Sequence, residues 1–332
     1  MQQDPPFVSI IIPVRNEERI LGKCLASINA LEYPRQRLEV IVADSLSTDN
    51  SPAIAQQYGA SVVANRGRTV VSGRNRGFAA ARGEFIAFTD ADCIVRPDWL
   101  KTGLHAFERD AIAGVGGVTL LPDDATAFQK AVNFLFLAAG FAGSTAHRQS
   151  VRSTRYVSDI PGCNCIYRRS ALAQVMPLDE NLLTAEDVWL NWLLSRRGFR
   201  HVVSENMILW HHRRTRPRTF FRQMYRFAVG RLQVGRRTPR LLNSLHVLAG
   251  AGIPLLVGAL VLASASRRLD LAVALALLAG AGSFVGGALR TKSVRAGLWV
   301  PMVLAVFLIA WSLGFLRELF FPLKEVDGKS VV

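Results

Sequence analysis

The sequence predicts a doubly wound α/β domain followed by an all-α membrane domain, and three observations carry that expectation. Over residues 1–216, short β-prone apolar runs alternate with helical stretches at the spacing of an open α/β sheet. Residues 242–263, 269–289 and 297–316 are then apolar almost throughout. At about 1.5 Å per residue, each covers a hydrocarbon layer of about 30 Å. Between the two regions, residues 217–240 set Phe220, Phe221, Met224, Phe227 and Leu232 against Arg218, Arg222, Arg226 and Arg231. That pattern predicts a basic amphipathic helix lying on anionic lipid.

The elements follow in order. Val8-Ser9-Ile10-Ile11-Ile12 is a buried-strand pattern closed by Pro13. Asn16-Glu17-Glu18 opens a helix running to about Ala30, with Ile20, Leu21, Cys24, Leu25 and Ile28 on one face. A second strand, 38–43, runs into Asp44, and Ser47-Thr48-Asp49-Asn50-Ser51-Pro52 supplies cap and first-turn residues for a helix to about Tyr58. A short strand at 61–64 and a helix at 72–82 follow, ended by Gly83. Glu84-Phe85-Ile86-Ala87-Phe88-Thr89 then forms a strand stopping at Asp90-Ala91-Asp92, and Pro97 restarts a helix. Residues 113–121 are Gly-rich and β-like, and 128–141 form an apolar helix of the core or of the membrane interface. No Gly-x-Gly-x-x-Gly follows the first strand and no Walker A sequence occurs, which disfavours a dinucleotide oxidoreductase or a P-loop enzyme.

Charge and composition refine this plan. The formal net charge is +15, with much of the excess in residues 196–240, leading straight into the apolar tail. A membrane surface therefore fits better than nucleic acid as the basic region's partner. Arg236, Arg237 and Arg240 precede the first apolar segment, and Arg290, Lys292 and Arg295 separate the second from the third. Positive-inside weighting puts these, and the α/β domain with them, on the cytoplasmic side, with Arg267 and Arg268 on the far side. Met1-Gln2-Gln3-Asp4-Pro5-Pro6 lacks a basic n-region and an apolar h-region, so no signal peptide is expected. Cys24, Cys93, Cys163 and Cys165 show no two-pair metal spacing and are expected as reduced thiols.

The carboxylates point to chemistry. Two acids at a strand end, Asp90 and Asp92, are costly to desolvate without a cation. A divalent metal shared with substrate phosphates is the natural partner. Asp44 ends an earlier strand, where ligands of open α/β sheets collect. Glu186-Asp187 opens a helical stretch that Thr184 is placed to cap, and the helix dipole favours an acid there. His211-His212 offers a further metal or phosphate contact, placed here at His212.

Taken in order, Pro13-Val14-Arg15-Asn16-Glu17, Val42-Ala43-Asp44, Ser47-Thr48-Asp49, Gly73-Arg74-Asn75-Arg76-Gly77, Ala81-Arg82-Gly83-Glu84, Asp90-Ala91-Asp92 and Glu186-Asp187 resemble the family 2 glycosyltransferases. The resemblance covers roughly residues 7–235, and the apolar tail is similar to that of membrane-bound members making exopolysaccharide or lipid-linked glycans. It implies a GT-A fold, an Mg²⁺ or Mn²⁺ cofactor and a UDP- or GDP-sugar donor. It also implies a lipid-linked or glycan acceptor, and roles for residues. Pro13, Arg15 and Glu17 would lie beside the nucleotide, Asp44 at the base and Arg74 at the diphosphate. Asp90 would face ribose or metal, Asp92 would hold the metal, and Asp187 would be the general base. Ser45-Leu46 stands where relatives often carry a second Asp or a Gly. Gly162-Cys163-Asn164-Cys165 resembles the family's Gly-x-Asn segment, placing Gly162, Asn164 and Glu186 on the acceptor side. Gln223 and Arg226 join them through a likeness of Gln223-Met224-Tyr225-Arg226-Phe227 to the Q-x-x-R-W of processive synthases; the different final aromatic and the few spans argue against processivity. A nucleotidyltransferase releasing pyrophosphate, or a non-catalytic membrane subunit, is the alternative.

Overall fold

The computed structural model describes residues 4–108, 112–138 and 154–323, which group into two units. The first unit is built on a nine-stranded sheet, and its strands appear largely where the apolar runs are. Parallel β1 (Val8–Val14), β2 (Leu38–Asp44), β3 (Ser61–Ala64) and β4 (Phe85–Thr89) form one half, in the order β3-β2-β1-β4. Between them run α1 (Leu21–Asn29), α2 (Ser51–Gln57) and α3 (Val70–Ala80). Beyond β4 the sheet turns mixed. After β5 (Cys93–Val95) and α4 (Trp99–His105), β6 (Ile112–Leu120) pairs antiparallel with β8 (Asn164–Arg168), and β8 pairs antiparallel with β4. The long β9 (Arg200–His211) runs parallel to β6 and antiparallel to β5 and to β7 (Arg155–Val157). Short α6 (Arg169–Leu172) follows β8, and α7 (Glu186–Arg196) precedes β9. The core is the apolar interior of this sheet with the buried faces of α1 and α4, including Ile10, Ile12, Leu25, Ile28, Trp99 and Ile166.

Several helices begin later than the sequence suggests. The first starts at Leu21, not at Asn16, because the backbone of residues 16–18 is held by side chains of the loop after β2. That loop meets the start of α2 as expected: Asp49 Oδ1 accepts from the Ser51 N–H at 3.0 Å and Pro52 stands in the first turn, while Ser51 Oγ accepts from the Glu17 N–H at 2.9 Å. α4 starts two residues after Pro97. Thr184 does not cap α7; its hydroxyl donates to the Arg226 carbonyl at 2.9 Å.

The second unit is helical: α8 (Pro217–Arg237), α9 (Ser244–Gly250), α10 (Gly252–Ala265), α11 (Leu269–Thr291) and α12 (Val294–Phe320). The helix expected at 128–141 belongs to this unit as α5 (Ala127–Ala138), so the division expected at residue 216 is not a single cut in the chain; residues 139–141 lie outside the described residues. Its Phe128, Ala131, Val132 and Leu135 pack into one core with Phe220 and Met224 of α8 and with Val303, Phe307 and Trp311 of α12. Much of the apolar face of α8 packs against α5 and α12, leaving arginines and Phe227 outward. At one crossing α8 and α12 come so close that a Cβ on Gly314 would lie 2.3 Å from the Tyr225 carbonyl oxygen.

Among the described residues two helices, α11 and α12, are long and apolar enough to cross a membrane, or three spans result if α9 and α10 act as one. The span expected at 242–263 is bent by 57° between α9 and α10. Pro254 has no N–H to give the Gly250 carbonyl four residues back. The buried Ser312 hydroxyl of α12 replaces it, donating to Gly250 O at 2.8 Å and accepting from the Ile253 N–H at 3.1 Å.

Candidate donor and transfer site

The parallel register sets Val14 beside Asp44, and Ile11 beside Phe88, so the chain leaves β1, β2 and β4 on one edge of the sheet. That edge is where open α/β sheets bind ligands. The antiparallel pairing of Thr89 with Asn164 brings Gly162 to the end of β4, and that of Cys93 with His211 brings the end of β9 beside the Asp90-Ala91-Asp92 turn.

The loops after β1 and β2 are stapled to each other. Asn16 N–H donates to Ser47 Oγ at 2.9 Å, Thr48 N–H to Asn16 Oδ1 at 2.8 Å, and Glu18 N–H to Asp49 Oδ2 at 3.1 Å. Asn16 and Leu46 hold φ of +55° and +57°, the left-handed region that non-glycine residues adopt only under constraint. Pro13 and Glu17 are half-buried at this edge and Arg15 is exposed. Asp44 is buried, and its Oδ2 accepts from the Ser47 N–H at 3.0 Å. Its Oδ1 finds no donor among the described residues, an acceptor left open for a ligand N–H or O–H.

Arg74 is the hub of the site. Its side chain, almost fully buried on α3, donates through Nη2 to the Gly162 carbonyl at 2.9 Å, pairs with Glu186 at 2.9 Å and lies 4.0 Å from Asp90. Its guanidinium also sits 5.2 Å over the Phe88 ring. Burial works against its charge, but the carboxylates of Glu186 and Asp90 outweigh it and hold its pKa above the ordinary value. Arg74 and Glu186, expected at the diphosphate and on the acceptor side, are paired with each other in this structure. Both are buried and bonded to each other, and together they brace the segments that carry Asp90, Gly162 and Asp187.

Gly162 has to be glycine: an added Cβ would lie 2.7 Å from the Arg74 guanidinium and 3.1 Å from Asp187 Cβ. Its N–H donates to Asp187 Oδ2 at 3.1 Å. Asp187, partly exposed in the first turn of α7, also accepts at Oδ1 from the Val188 N–H at 2.8 Å. Ala185, just before the helix, has φ of +64°. Asn164 opens β8. It is fully buried, with Oδ1 accepting from the Trp99 indole at 2.7 Å and Nδ2 donating to the Val118 carbonyl at 3.0 Å, so it ties β8 to α4 and β6 and has no surface for an acceptor. Gln223 and Arg226 lie on α8, in the second unit.

Asp90 and Asp92 flank the turn after β4. Burial first, and then Cys163, push the Asp90 carboxyl up; Arg74 pulls it down and Asp92 adds to the rise, leaving it at about 7. Two carboxylates so placed fit a divalent cation, whose charge would relieve that rise. The imidazole that joins them is that of His211, with Nε2 3.3 Å from Asp92 Oδ1. His212 reaches Asp92 only through its backbone, its N–H donating to the Asp92 carbonyl at 2.9 Å. His212 itself lies just past the end of β9, and its Nε2 is buried without a hydrogen-bond partner among the described residues. The buried Asn65, which sequence reasoning passed over, holds the loop ends together by donating to Ser45 Oγ at 2.9 Å and to the Thr69 carbonyl at 2.8 Å. Nothing in one sequence marks such an asparagine.

Comparison with known proteins agrees with this architecture. Residues 9–176 match the model of glycosyl transferase family 2. Glycosyltransferase AglE of Haloferax volcanii is 25% identical over 237 residues, covering 69% of this chain and 74% of that protein. A Methanococcus voltae dolichyl N-acetyl-alpha-D-glucosaminyl phosphate 3-beta-D-2,3-diacetamido-2,3-dideoxy-beta-D-glucuronosyltransferase is 24% identical over 230 residues, covering 65% and 70%. Among solved structures, the mannosyltransferase PcManGT of Pyrobaculum calidifontis, in complex with GDP-Man and Mn²⁺, superposes with a TM-score of 0.66 at 20% identity, covering 95% of this chain and 88% of that one. Since the family's pattern runs through the strands and turns that assemble this carboxylate-rich edge, and the fold is shared with a solved sugar-nucleotide complex, the chain belongs to the family 2 glycosyltransferases.

Proposed function

We propose that this glycosyltransferase moves a single sugar, with inversion, from a UDP- or GDP-sugar to a hydroxyl of a lipid-linked acceptor at the cytoplasmic face of a membrane. The observation that carries the reading is the meeting, at one sheet edge, of Asp44, the Asp90-Ala91-Asp92 turn and the edge that holds Asp187 through Gly162. Asp44, with its open Oδ1, suits the base or ribose; Pro13, Arg15 and Glu17 flank it. Asp92, with Asp90 and His211, would hold Mg²⁺ or Mn²⁺, which when bound neutralises charge on the departing diphosphate. Asp187 takes the proton from the acceptor hydroxyl, which needs a base within hydrogen-bond reach. A single base, on the side away from the leaving group, implies in-line displacement and hence inversion. The Gly162 N–H fixes that carboxylate, and the Arg74–Glu186 pair fixes Gly162.

The donor classes are supported by the GDP-Man bound in the PcManGT structure and by the UDP bound in a solved GalNAc-T7 structure of TM-score 0.51 at 15% identity, and the acceptor by the dolichyl phosphate sugar in the Methanococcus protein's name. The apolar helices α11 and α12 and the arginine clusters beside them support a membrane protein with its catalytic unit on the cytoplasmic side. The test is a panel of labelled nucleotide-sugars incubated with membranes holding the protein, with and without Mn²⁺. Label should enter the lipid extract with one donor and with metal only; release of pyrophosphate instead of a nucleoside diphosphate would overturn the assignment.

A further inference from the structure

Beside the donor site lies a group of a different chemical kind. Cys93 opens β5 and pairs directly with His211 of β9, so their side chains are cross-strand neighbours on one face. Cys163, in the turn before β8, completes a triad with them. The two thiol sulfurs and an imidazole nitrogen all lie within 4.8 Å of one another. Cys93 is fully buried, Cys163 nearly so and His211 partly.

We propose that Cys93, Cys163 and His211 form a thiophilic cation site that takes Zn²⁺ or Cd²⁺, set apart by its two thiols from the Mg²⁺ or Mn²⁺ site with which it shares His211. Thiolate and imidazole ligands select zinc-like ions, whereas carboxylate and water suit magnesium and manganese. Zn–S bonds of about 2.3 Å in a tetrahedron place two sulfurs about 3.8 Å apart, so donors within 4.8 Å close around an ion by side-chain rotation alone. Two of the three ligands sit on paired strands, which keeps the rotation small. The site shares His211 with the carboxylates, because His211 Nε2 is also 3.3 Å from Asp92 Oδ1. A zinc ion there would draw His211 away from Asp92 and the donor cation, making the site inhibitory. That consequence, unlike the binding itself, rests on the glycosyltransferase reading of Asp92.

The full-length protein in detergent is titrated with Cd²⁺ alone and followed by the ultraviolet sulfur-to-cadmium charge-transfer band. One equivalent should saturate the band in the wild type and in a Cys24→Ala control, and the band should be lost in Cys93→Ser and in Cys163→Ser. Circular dichroism of each variant reports whether it has folded, and a band in the wild type that Zn²⁺ displaces tests the site without any variant. In the transfer assay, Zn²⁺ should inhibit Mn²⁺-supported turnover. Because lost outer-shell partners already cost about 10–100-fold in metal affinity, Cys93→Ser should weaken that inhibition by about tenfold or more while keeping basal turnover. No band in the wild type, or a band and inhibition unchanged in the folded variants, would overturn the proposal. The band needs no donor sugar, so it decides the site even where the transfer assay fails.

Discussion

The Arg74 guanidinium and the Glu186 carboxylate lie 2.9 Å apart, both buried, and join the α3 helix to the first turn of α7 beneath the transfer site. Removing one partner of such a pair leaves a buried charge uncompensated. Glu186→Ala should therefore cost about 3–5 kcal/mol of stability, read as a lowered thermal midpoint. The double variant Arg74→Met with Glu186→Leu should recover most of that stability and none of the activity, because Gly162 loses its brace. Full activity in the double variant would show that the pair serves packing alone.

Asp187→Asn keeps the shape and removes the base. Turnover should fall by about 10²–10⁴-fold, the typical worth of a general base. Nucleotide-sugar binding, measured by calorimetry with Mn²⁺ present, should stay near the wild-type value. A variant that turns over normally would remove Asp187 from the reaction.

With its carboxyl raised to about 7, Asp90 is protonated below neutral pH in the absence of a cation, and a metal must displace that proton. Mn²⁺ affinity should therefore fall as pH drops through about 7, by up to about tenfold per pH unit. It should level off above that value. Asp90→Asn should flatten the profile. Titrations of Mn²⁺ followed by electron paramagnetic resonance at several pH values give the curve directly.

His201 of β9 is buried edge-on to Tyr167, and burial lowers its pKa from 6.5 to about 4. The unfolded chain takes up a proton as pH falls through about 6.5, and the folded protein only near 4. Stability is then lost as pH falls across that window, by about 3 kcal/mol at most. Thermal midpoints from pH 7 to 4 should show the decline, and a His201→Leu variant should show less of it.

The Ser312 hydroxyl fills both open backbone positions at the break between α9 and α10. Ser312→Ala leaves a buried carbonyl and N–H without that partner, at a cost of about 1–3 kcal/mol. A Pro254→Ala, Ser312→Ala pair should lose less, since the alanine restores an N–H for Gly250. Thermal midpoints in detergent distinguish the two.

The order of the first four strands and their helices, the β-like stretch at 113–121, the apolar tail and the presence of carboxylates at strand ends were legible in the residues. The short strands β5, β7 and β8 and the long β9 were not. Local patterns record the former: a buried strand reads as an apolar run, and a membrane helix as a long one. Asp44, Asp90, Asp92 and Asp187 were legible as candidates for the same reason, being acids set where a strand or helix begins or ends. What local pattern does not record is which partner each side chain meets. The helix starts at Leu21 and not at Asn16 because a loop 31 residues away in sequence holds the intervening backbone.

Tertiary structure alone decided the working parts. It made Arg74 a buried strut, because Gly162 and Glu186, from distant stretches, arrive beside it. It chose His211 over His212, since only pairing with β5 sets which face of β9 looks at Asp92. It buried Asn164 under Trp99, covered much of the apolar face of α8 with α5 and α12, and broke the first apolar segment at Gly250. The sequence by itself determined composition, periodicity and end residues, which are properties of neighbours along the chain. Direction, distance and burial are properties of neighbours in space, and those exist only once the sheet and the helices have packed.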